Sequence, residues 1–106
     1  MGHVYIPVKM GDPLKRRVRE VRMLVGRGAT CPCISEKLAA ELGLKLEFKT
    51  KVTLADKRMV EAWYATAYIE ILGRGDLIPV RVFEVEEPLL GVFVLEALAR
   101  QDVAKF

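Results

Sequence analysis

The stretch that decides the fold of this chain is Met23-Leu24-Val25-Gly26-Arg27-Gly28-Ala29-Thr30. Three apolar residues, typical of a buried strand, run directly into a glycine-rich turn. A Gly-x-Gly sequence is a weak signal for a phosphate-binding loop, and this one lacks both the third glycine of a dinucleotide site and the Gly-Lys-Ser ending of a P-loop. A nucleotide site is therefore disfavoured, and the meaning of the stretch depends on its surroundings.

Most of the surrounding sequence has the pattern of β-strands. Apolar and charged residues alternate from Lys45 to Leu54, which predicts a strand with one solvent-exposed face. Further strands are predicted at 63–72 and 78–85, where aromatic and β-branched residues are frequent. Residues 4–8 and 18–25 predict an opening hairpin, turned at Gly11-Asp12-Pro13.

Two segments predict short helices. The segment from Ser35 to Gly43 has a serine N-cap, leucines one turn apart and a terminal glycine. A second short helical pattern covers 95–100, near the end of the chain. Six or seven strands with one or two short helices predict an all-β, barrel-like domain.

Three further motifs complete the pattern, namely Leu54-Ala55-Asp56, Tyr68-Ile69-Glu70-Ile71-Leu72-Gly73 and Leu89-Leu90-Gly91-Val92-Phe93-Val94-Leu95. In this order and at this spacing, from about Val21 to Leu98, the chain resembles the retropepsin-like (retroviral-type) aspartic proteases. The resemblance implies a single domain over 1–106 with the acid-protease closed barrel. It also implies a flap hairpin turned at Asp56, above a groove whose floor holds the loop 26–28.

The resemblance also shows what the chain lacks. Proteases of this family use two aspartates, one from each half of a cleft, which share a proton and hold a water molecule. Gly26 stands at the position of that aspartate and Arg27 at that of the following threonine, whereas Gly28 and Ala29 keep the family residues. The aspartates of this chain are Asp12, Asp56, Asp76 and Asp102, and none precedes Thr-Gly or Ser-Gly. We therefore expect a catalytically degenerate homologue with no catalytic residue and no aspartic peptidase activity.

The substrate-groove candidates implied by the resemblance are Arg27, Ala29, Thr30, Cys31 and Asp56. Arg27 has two interpretations: its guanidinium binds an anion or carboxylate at the bottom of the cleft, or it turns outward to pair with a surface acid. Cys31 and Cys33 are separated by one proline, too close for an unstrained disulfide. With one histidine in the chain, a metal site is also disfavoured, so we expect neither a metal nor a cofactor.

Composition and charge bear on whether the chain binds nucleic acid and on where in the cell it is expected. The formal charge of +3 is too small to imply nucleic acid by itself, and the basic residues from Lys15 to Arg22 read either as a nucleic-acid arm or as a solvated hairpin face. No apolar run has the length of a membrane span and no secretion signal is visible, so a cytoplasmic location is expected. The chain lacks Asn and has Gln101 as its single Gln, which suggests a thermophile.

These observations leave three functional hypotheses. The first is a dimerising or peptide- or ligand-binding module without catalysis. The second is an active aspartic endopeptidase whose motif is altered in this chain, and the third is a nucleic-acid-binding protein that uses the basic hairpin.

A homodimer is expected in the first case, because retropepsin-like domains of this length generally pair. Pairing through the tail, residues 101–106, would bury Val103 and Phe106 at about 1.5–3 kcal/mol each. That exceeds a repulsion of about 3 kcal/mol between two Arg27 side chains at ~6 Å.

Overall fold

The computed structural model describes residues 4–26, 31–54 and 56–99. Within these residues the chain forms seven strands and two helices. In chain order they are β1 (Tyr5–Gly11), β2 (Val18–Gly26), β3 (Cys33–Ile34), α1 (Glu36–Leu42), β4 (Phe48–Thr53), β5 (Met59–Ile71), β6 (Arg74–Val82), β7 (Leu89–Gly91) and α2 (Val92–Ala99).

Six of the described strands close into a barrel. The hydrogen-bonded order is β1-β2-β7-β3-β6-β5, and β5 returns to β1 through the pair Lys9↔Glu70 and its neighbours. Strand β5 is long enough to pair with two strands along one of its edges. Strand β4 pairs with its first half, and β1 pairs with residues near its end. The predicted all-β closed barrel with a flap hairpin is therefore confirmed, and the β4–β5 hairpin is the arm that extends from the barrel.

The opening hairpin forms as predicted, with β1 and β2 antiparallel from Tyr5↔Leu24 to Gly11↔Val18. Gly11 is required by close packing, since a Cβ atom there would collide with the backbone oxygen of Arg17. The buried carboxylate of Asp12 closes the turn by accepting the Arg17 backbone N–H at 2.8 Å. That hydrogen bond is the main reason why the pKa of Asp12 lies below its ordinary value.

The first helix has the ends that its sequence predicts. The Ser35 hydroxyl accepts the backbone N–H of Leu38 at 3.1 Å, and Gly43 ends the helix with φ of 72°. The second helix begins at Val92, three residues before the predicted start, because the apolar run after Gly91 fits a strand and a helix equally well.

Three strand boundaries also differ from the predictions. Strand β4 begins at Phe48 rather than Lys45, and β5 begins at Met59 rather than Trp63. Strand β6 covers Arg74–Val82, earlier than predicted, because the tight turn at 72–73 returns the chain at once beside β5.

The main core fills the barrel. It is formed by alternate residues of the strands together with apolar residues of both helices, among them Met10, Met23, Ile34, Leu42, Ile69, Val80, Leu90, Val94 and Leu98. The strand residues between these core positions therefore face outward, and several of them lie at the groove described below. Neither of the two described helices is long and apolar enough to cross a membrane.

Candidate functional site

The end of β2 is the position at which the sequence predicted a degenerate active site. Gly26 is the last residue of β2 and lies beside Gly91 of the parallel strand β7. The backbone before it is well held, since Leu24 donates to the Pro88 carbonyl at 2.9 Å and Val25 to the Val4 carbonyl at 2.8 Å. A Cβ atom at Gly26 would meet no atom of the described residues within 4 Å. The strand end is thus fixed and has room for a side chain, but Gly26 supplies no functional group.

The two cysteines follow this strand end and lie at the start of β3. Cys31 is half-buried, whereas Cys33 is buried and its thiol donates to the Cys31 carbonyl at 3.5 Å. Burial raises the pKa of Cys33 to about 11, so this thiol is protonated at neutral pH. Among the described residues neither cysteine forms a disulfide, and no group of metal-ligating side chains is present.

The flap turn is held by its own side chains. The Asp56 carboxylate accepts the backbone N–H of Arg58 at 3.1 Å and its Nε–H at 2.7 Å. Between them Lys57 adopts the left-handed conformation with φ of 68°, at the position where the resemblance implies glycine. Asp56 is therefore a turn-forming residue whose carboxylate is already paired with a neighbouring cation.

A groove of about 660 Å³ lies between the flap hairpin, the start of α1 and the residues after β6. It is lined by Ser35, Glu36, Lys37, Leu54, Arg58, Val60, Glu61, Phe83, Glu84 and Val85. A second apolar cluster, which we call the groove floor, consists of buried Cys33, Val52, Ala62 and Phe83 with half-buried Leu54, Val60, Val85 and Leu89. An apolar floor with a charged rim is typical of a site that binds a ligand by its side chains.

One row of paired residues crosses the sheet from β2 to the groove floor. Leu24 pairs with Leu89, and Leu89 pairs with Cys33 of the floor. The row continues through Arg81 to Tyr64. Paired residues share one face of a sheet, so these side chains lie on the outer face, opposite the barrel core.

Arg81 and Tyr64 form a polar pair beside the groove floor that the sequence interpretation did not single out. The Arg81 guanidinium stacks over the Tyr64 ring with 5.7 Å to its centroid and donates to the hydroxyl from Nε at 3.4 Å and from a terminal nitrogen at 3.3 Å. Acceptance by the Tyr64 hydroxyl raises the pKa of Arg81, which remains a cation at every accessible pH. The sequence signal that could have found the pair was a single arginine, Arg81, in the mostly apolar predicted strand 78–85. Its partner Tyr64 is distant in sequence, so the pair itself was not visible.

The basic hairpin residues mostly have partners within the chain. Arg16 pairs with Asp12, Arg19 pairs with Glu41, and Arg22 stacks over Tyr5. These contacts favour the solvated hairpin face over the nucleic-acid arm.

Comparison with solved structures places this geometry among known folds. EIAV protease complexed with the inhibitor HBY-793 is 17% identical, with a TM-score of 0.74, and the match covers 92% of this chain and 89% of that chain. A retropepsin-like aspartic protease from Rickettsia conorii is 23% identical, with a TM-score of 0.66 and coverages of 91% and 71%. The fold is retropepsin-like.

A third structure, the retroviral protease-like domain of Ddi1 from Leishmania major, matches the same retropepsin-like fold. It is 13% identical, with a TM-score of 0.55 and coverages of 92% and 78%. No protein-family model matches the chain, and no curated protein does.

Of the predicted groove residues of this retropepsin-like fold, the structure describes Cys31 and Asp56. Arg27, Ala29 and Thr30, with Gly28 of the degenerate motif, lie outside the described residues. Asp56 lies in the flap turn, next to Arg58 of the groove lining, and Cys31 precedes Cys33 of the groove floor. Gly26 is not among the residues that line the groove. It pairs with Gly91, two residues along β7 from Leu89 of the groove floor.

Proposed function

We propose that residues 1–106 are one retropepsin-like domain that binds an extended peptide segment in the groove and has no aspartic peptidase activity. The observation that carries the proposal is Gly26. It occupies the end of β2, where the family resemblance implies an aspartate, and it has neither an acid nor a base. General acid–base catalysis contributes about 10²–10⁴-fold, and loss of both halves of a carboxylate pair removes the water-activating group altogether.

The other aspartates of the chain are no substitutes. Asp12 is bound to Arg16 and the Arg17 backbone in the first hairpin, and Asp56 is bound to Arg58 in the flap turn. Asp76 is exposed on β6, where its carboxylate accepts the next backbone N–H. Asp102 lies outside the described residues.

The groove supports binding rather than chemistry. Its floor offers buried and half-buried apolar side chains, and the flap hairpin and the residues after β6 form its two sides. The similar EIAV protease is complexed with an inhibitor, which agrees with ligand binding by this fold. We assign the ligand as a peptide in extended conformation, because a groove between the flap hairpin and the residues after β6, with an apolar floor, accommodates the alternate side chains of an extended chain.

The test restores the motif. The chain and its variant with Gly26→Asp and Arg27→Thr are incubated with an octapeptide library from pH 4 to pH 7, and cleavage is followed by mass spectrometry. We expect no cleavage by the unaltered chain and cleavage by the restored variant. The matched control, Gly26→Asn with Arg27→Thr, has the same shape without the acid and should be inactive. Pepstatin-sensitive cleavage by the unaltered chain would refute the proposal and favour the active-endopeptidase hypothesis.

The proposal includes a homodimer. What supports it is the retropepsin-like fold, whose proteases usually act as dimers, and the apolar residues Val103 and Phe106, which lie outside the described residues. We expect sedimentation at micromolar concentration to show a dimer that salt strengthens, because salt screens the repulsion between the two Arg27 side chains. A monomer at every ionic strength would refute the dimer. A dimer that persists without residues 102–106 would refute the tail as its interface.

A further inference from the structure

Arg81 and Tyr64 together present hydrogen-bond donors that the described residues leave unused. A guanidinium has five N–H donors, and the Arg81 bonds to Tyr64 use two of them. The Tyr64 oxygen accepts both bonds, so its own O–H remains available as a donor. No carboxylate of the described residues forms an ion pair with Arg81. A cation and a hydroxyl donor therefore lie side by side next to the groove floor.

This arrangement differs from that of the other arginines with described side-chain partners. Arg16, Arg19 and Arg58 each bond to a carboxylate of the chain. Arg22 also stacks over a tyrosine, Tyr5, at 5.1 Å, but there the tyrosine hydroxyl donates to the carboxylate of Glu87. The Arg81–Tyr64 pair has a similar stack, but its tyrosine hydroxyl accepts from the arginine and no carboxylate bonds to it among the described residues. Arg81 is also half-buried, whereas Arg22 is exposed.

The pair lies at one end of the groove floor. Cys33 belongs to the floor and is the direct neighbour of Arg81 across the β3–β6 pairing. Neighbouring strands are about 4.8 Å apart, and alternate side chains of an extended peptide are about 6.6 Å apart. Phe83 both lines the groove and belongs to its floor, and it follows Arg81 by two positions in the chain. A peptide with an apolar side chain on Phe83 thus brings the side chain two positions away within reach of the guanidinium.

We propose that Arg81 and Tyr64 form a subsite for the carboxylate of a Glu or Asp side chain, two positions from the residue that packs on the groove floor. A planar guanidinium pairs with a carboxylate through two parallel N–H bonds, and the tyrosine O–H adds a third. One cation matches one negative charge, which favours a carboxylate over a doubly charged phosphate. The subsite rests on the proposed peptide binding and names the kind of peptide that the groove selects.

The first experiment needs no peptide. N-acetylglutamate N-methylamide, in which the side-chain carboxylate is the single charge, is titrated into the ¹⁵N-labelled chain while the arginine Nε–Hε signals are followed by NMR. The Arg81 signal is assigned by its loss in Arg81→Gln. We expect a saturable shift of the Arg81 signal with this compound and none with the uncharged N-acetylglutamine N-methylamide at equal concentration. Equal responses to the two compounds, or none to either, would overturn the carboxylate site.

The second experiment measures peptide selection. Fluorescein-labelled octapeptides carry Leu, Phe or Val two positions before a Glu, each with a Gln-matched partner, and binding is followed by anisotropy. We expect the Glu peptides to bind about tenfold more tightly, the size of one charge-assisted contact. Arg81→Gln should abolish the preference and Tyr64→Phe should reduce it. Arg22→Gln, the control with the other arginine–tyrosine stack, should keep it.

The outcomes separate the two proposals. Binding without preference for Glu, or a preference that survives Arg81→Gln, would overturn the subsite and leave peptide binding intact. Failure of every peptide to bind would overturn the proposed function. The titration with N-acetylglutamate N-methylamide then decides by itself whether the carboxylate site exists. If Arg81→Gln fails to fold, Arg81→Lys is used in its place. This variant keeps the charge without the planar fork and should show an intermediate preference for the Glu peptides.

Discussion

Replacement of two glycines by alanine tests whether the end of β2 needs glycine for structural reasons. At Gly26 the added methyl group meets no atom of the described residues within 4 Å, and φ lies outside the left-handed region. Alanine then mainly restricts the unfolded chain, so Gly26→Ala should stabilise the protein by about 0.4–1 kcal/mol. At Gly11 the methyl group would collide with the Arg17 backbone oxygen and lie 2.9 Å from Cγ2 of Val18. Gly11→Ala should therefore destabilise by at least the ~1–3 kcal/mol of an overpacked site.

The two variants are compared with the unaltered chain by urea denaturation and by thermal unfolding followed by circular dichroism. For a domain of this size 1 kcal/mol corresponds to a change in Tm of roughly 4–8 °C. Gly26→Ala should therefore raise Tm by a few degrees, and Gly11→Ala should lower it by roughly 10 °C. If Gly26→Ala is as destabilising as Gly11→Ala, the glycine is a structural requirement. The missing aspartate would then reflect the fold, and the motif-restoring variant would not fold.

Three further predictions concern single residues. Leu72 is 94% exposed and has φ of 52° in the β5–β6 turn before Gly73, a left-handed conformation that asparagine tolerates better than leucine. Leu72→Asn should therefore raise the free energy of unfolding by about 0.5–1 kcal/mol in urea denaturation, and a lower midpoint would contradict this. Because the pKa of Asp12 is lowered in the folded protein, its charge stabilises above the ordinary value of 3.8, and that contribution is lost as the pH falls through the lower folded pKa. Asp12→Asn should accordingly be less stable at pH 7 and show a smaller loss of Tm between pH 5 and pH 2, whereas an unchanged acid profile would contradict the assignment. With a pKa of about 11, Cys33 should react with iodoacetamide at pH 8 much more slowly in the folded chain than in urea, as followed by mass spectrometry, and equal rates would show that the thiol is accessible.

Much of the fold was predictable from sequence because its signals are local. The caps Ser35 and Gly43 define α1 by contacts within one turn of helix. Alternation from Lys45 onward predicts β4, although regular pairing starts only at Phe48. The start of β5 was missed because the exposed Met59 is apolar and the buried Ala62 is small, so the residue types do not show the alternation that the burial has.

The site was less predictable because its residues meet across strands that are distant in sequence. Tyr64 and Arg81 are 17 positions apart and meet only through the β5–β6 register. Cys33 and Arg81 meet through the short parallel pairing of β3 with β6. Periodicity shows which face a residue occupies, but not which residue of another strand lies beside it. The family resemblance supplied the flap and the degenerate motif, and it gave no reason to single out Arg81.

The structure explains how this fold can persist without a catalytic aspartate. The end of β2 is held by backbone hydrogen bonds from Leu24 and Val25, and the side chain of Met23 anchors it in the core. None of these interactions involves a side chain at position 26. Closure of the barrel therefore depends on the backbone of this segment and on Met23, whereas protease chemistry would need a carboxylate at position 26. In a dimer with the family geometry, two carboxylates would face each other, and such like charges cannot both ionise without cost. In the proposed binding module Gly26 avoids that cost, and neither the hydrogen bonds of the flap turn nor the groove floor includes position 26.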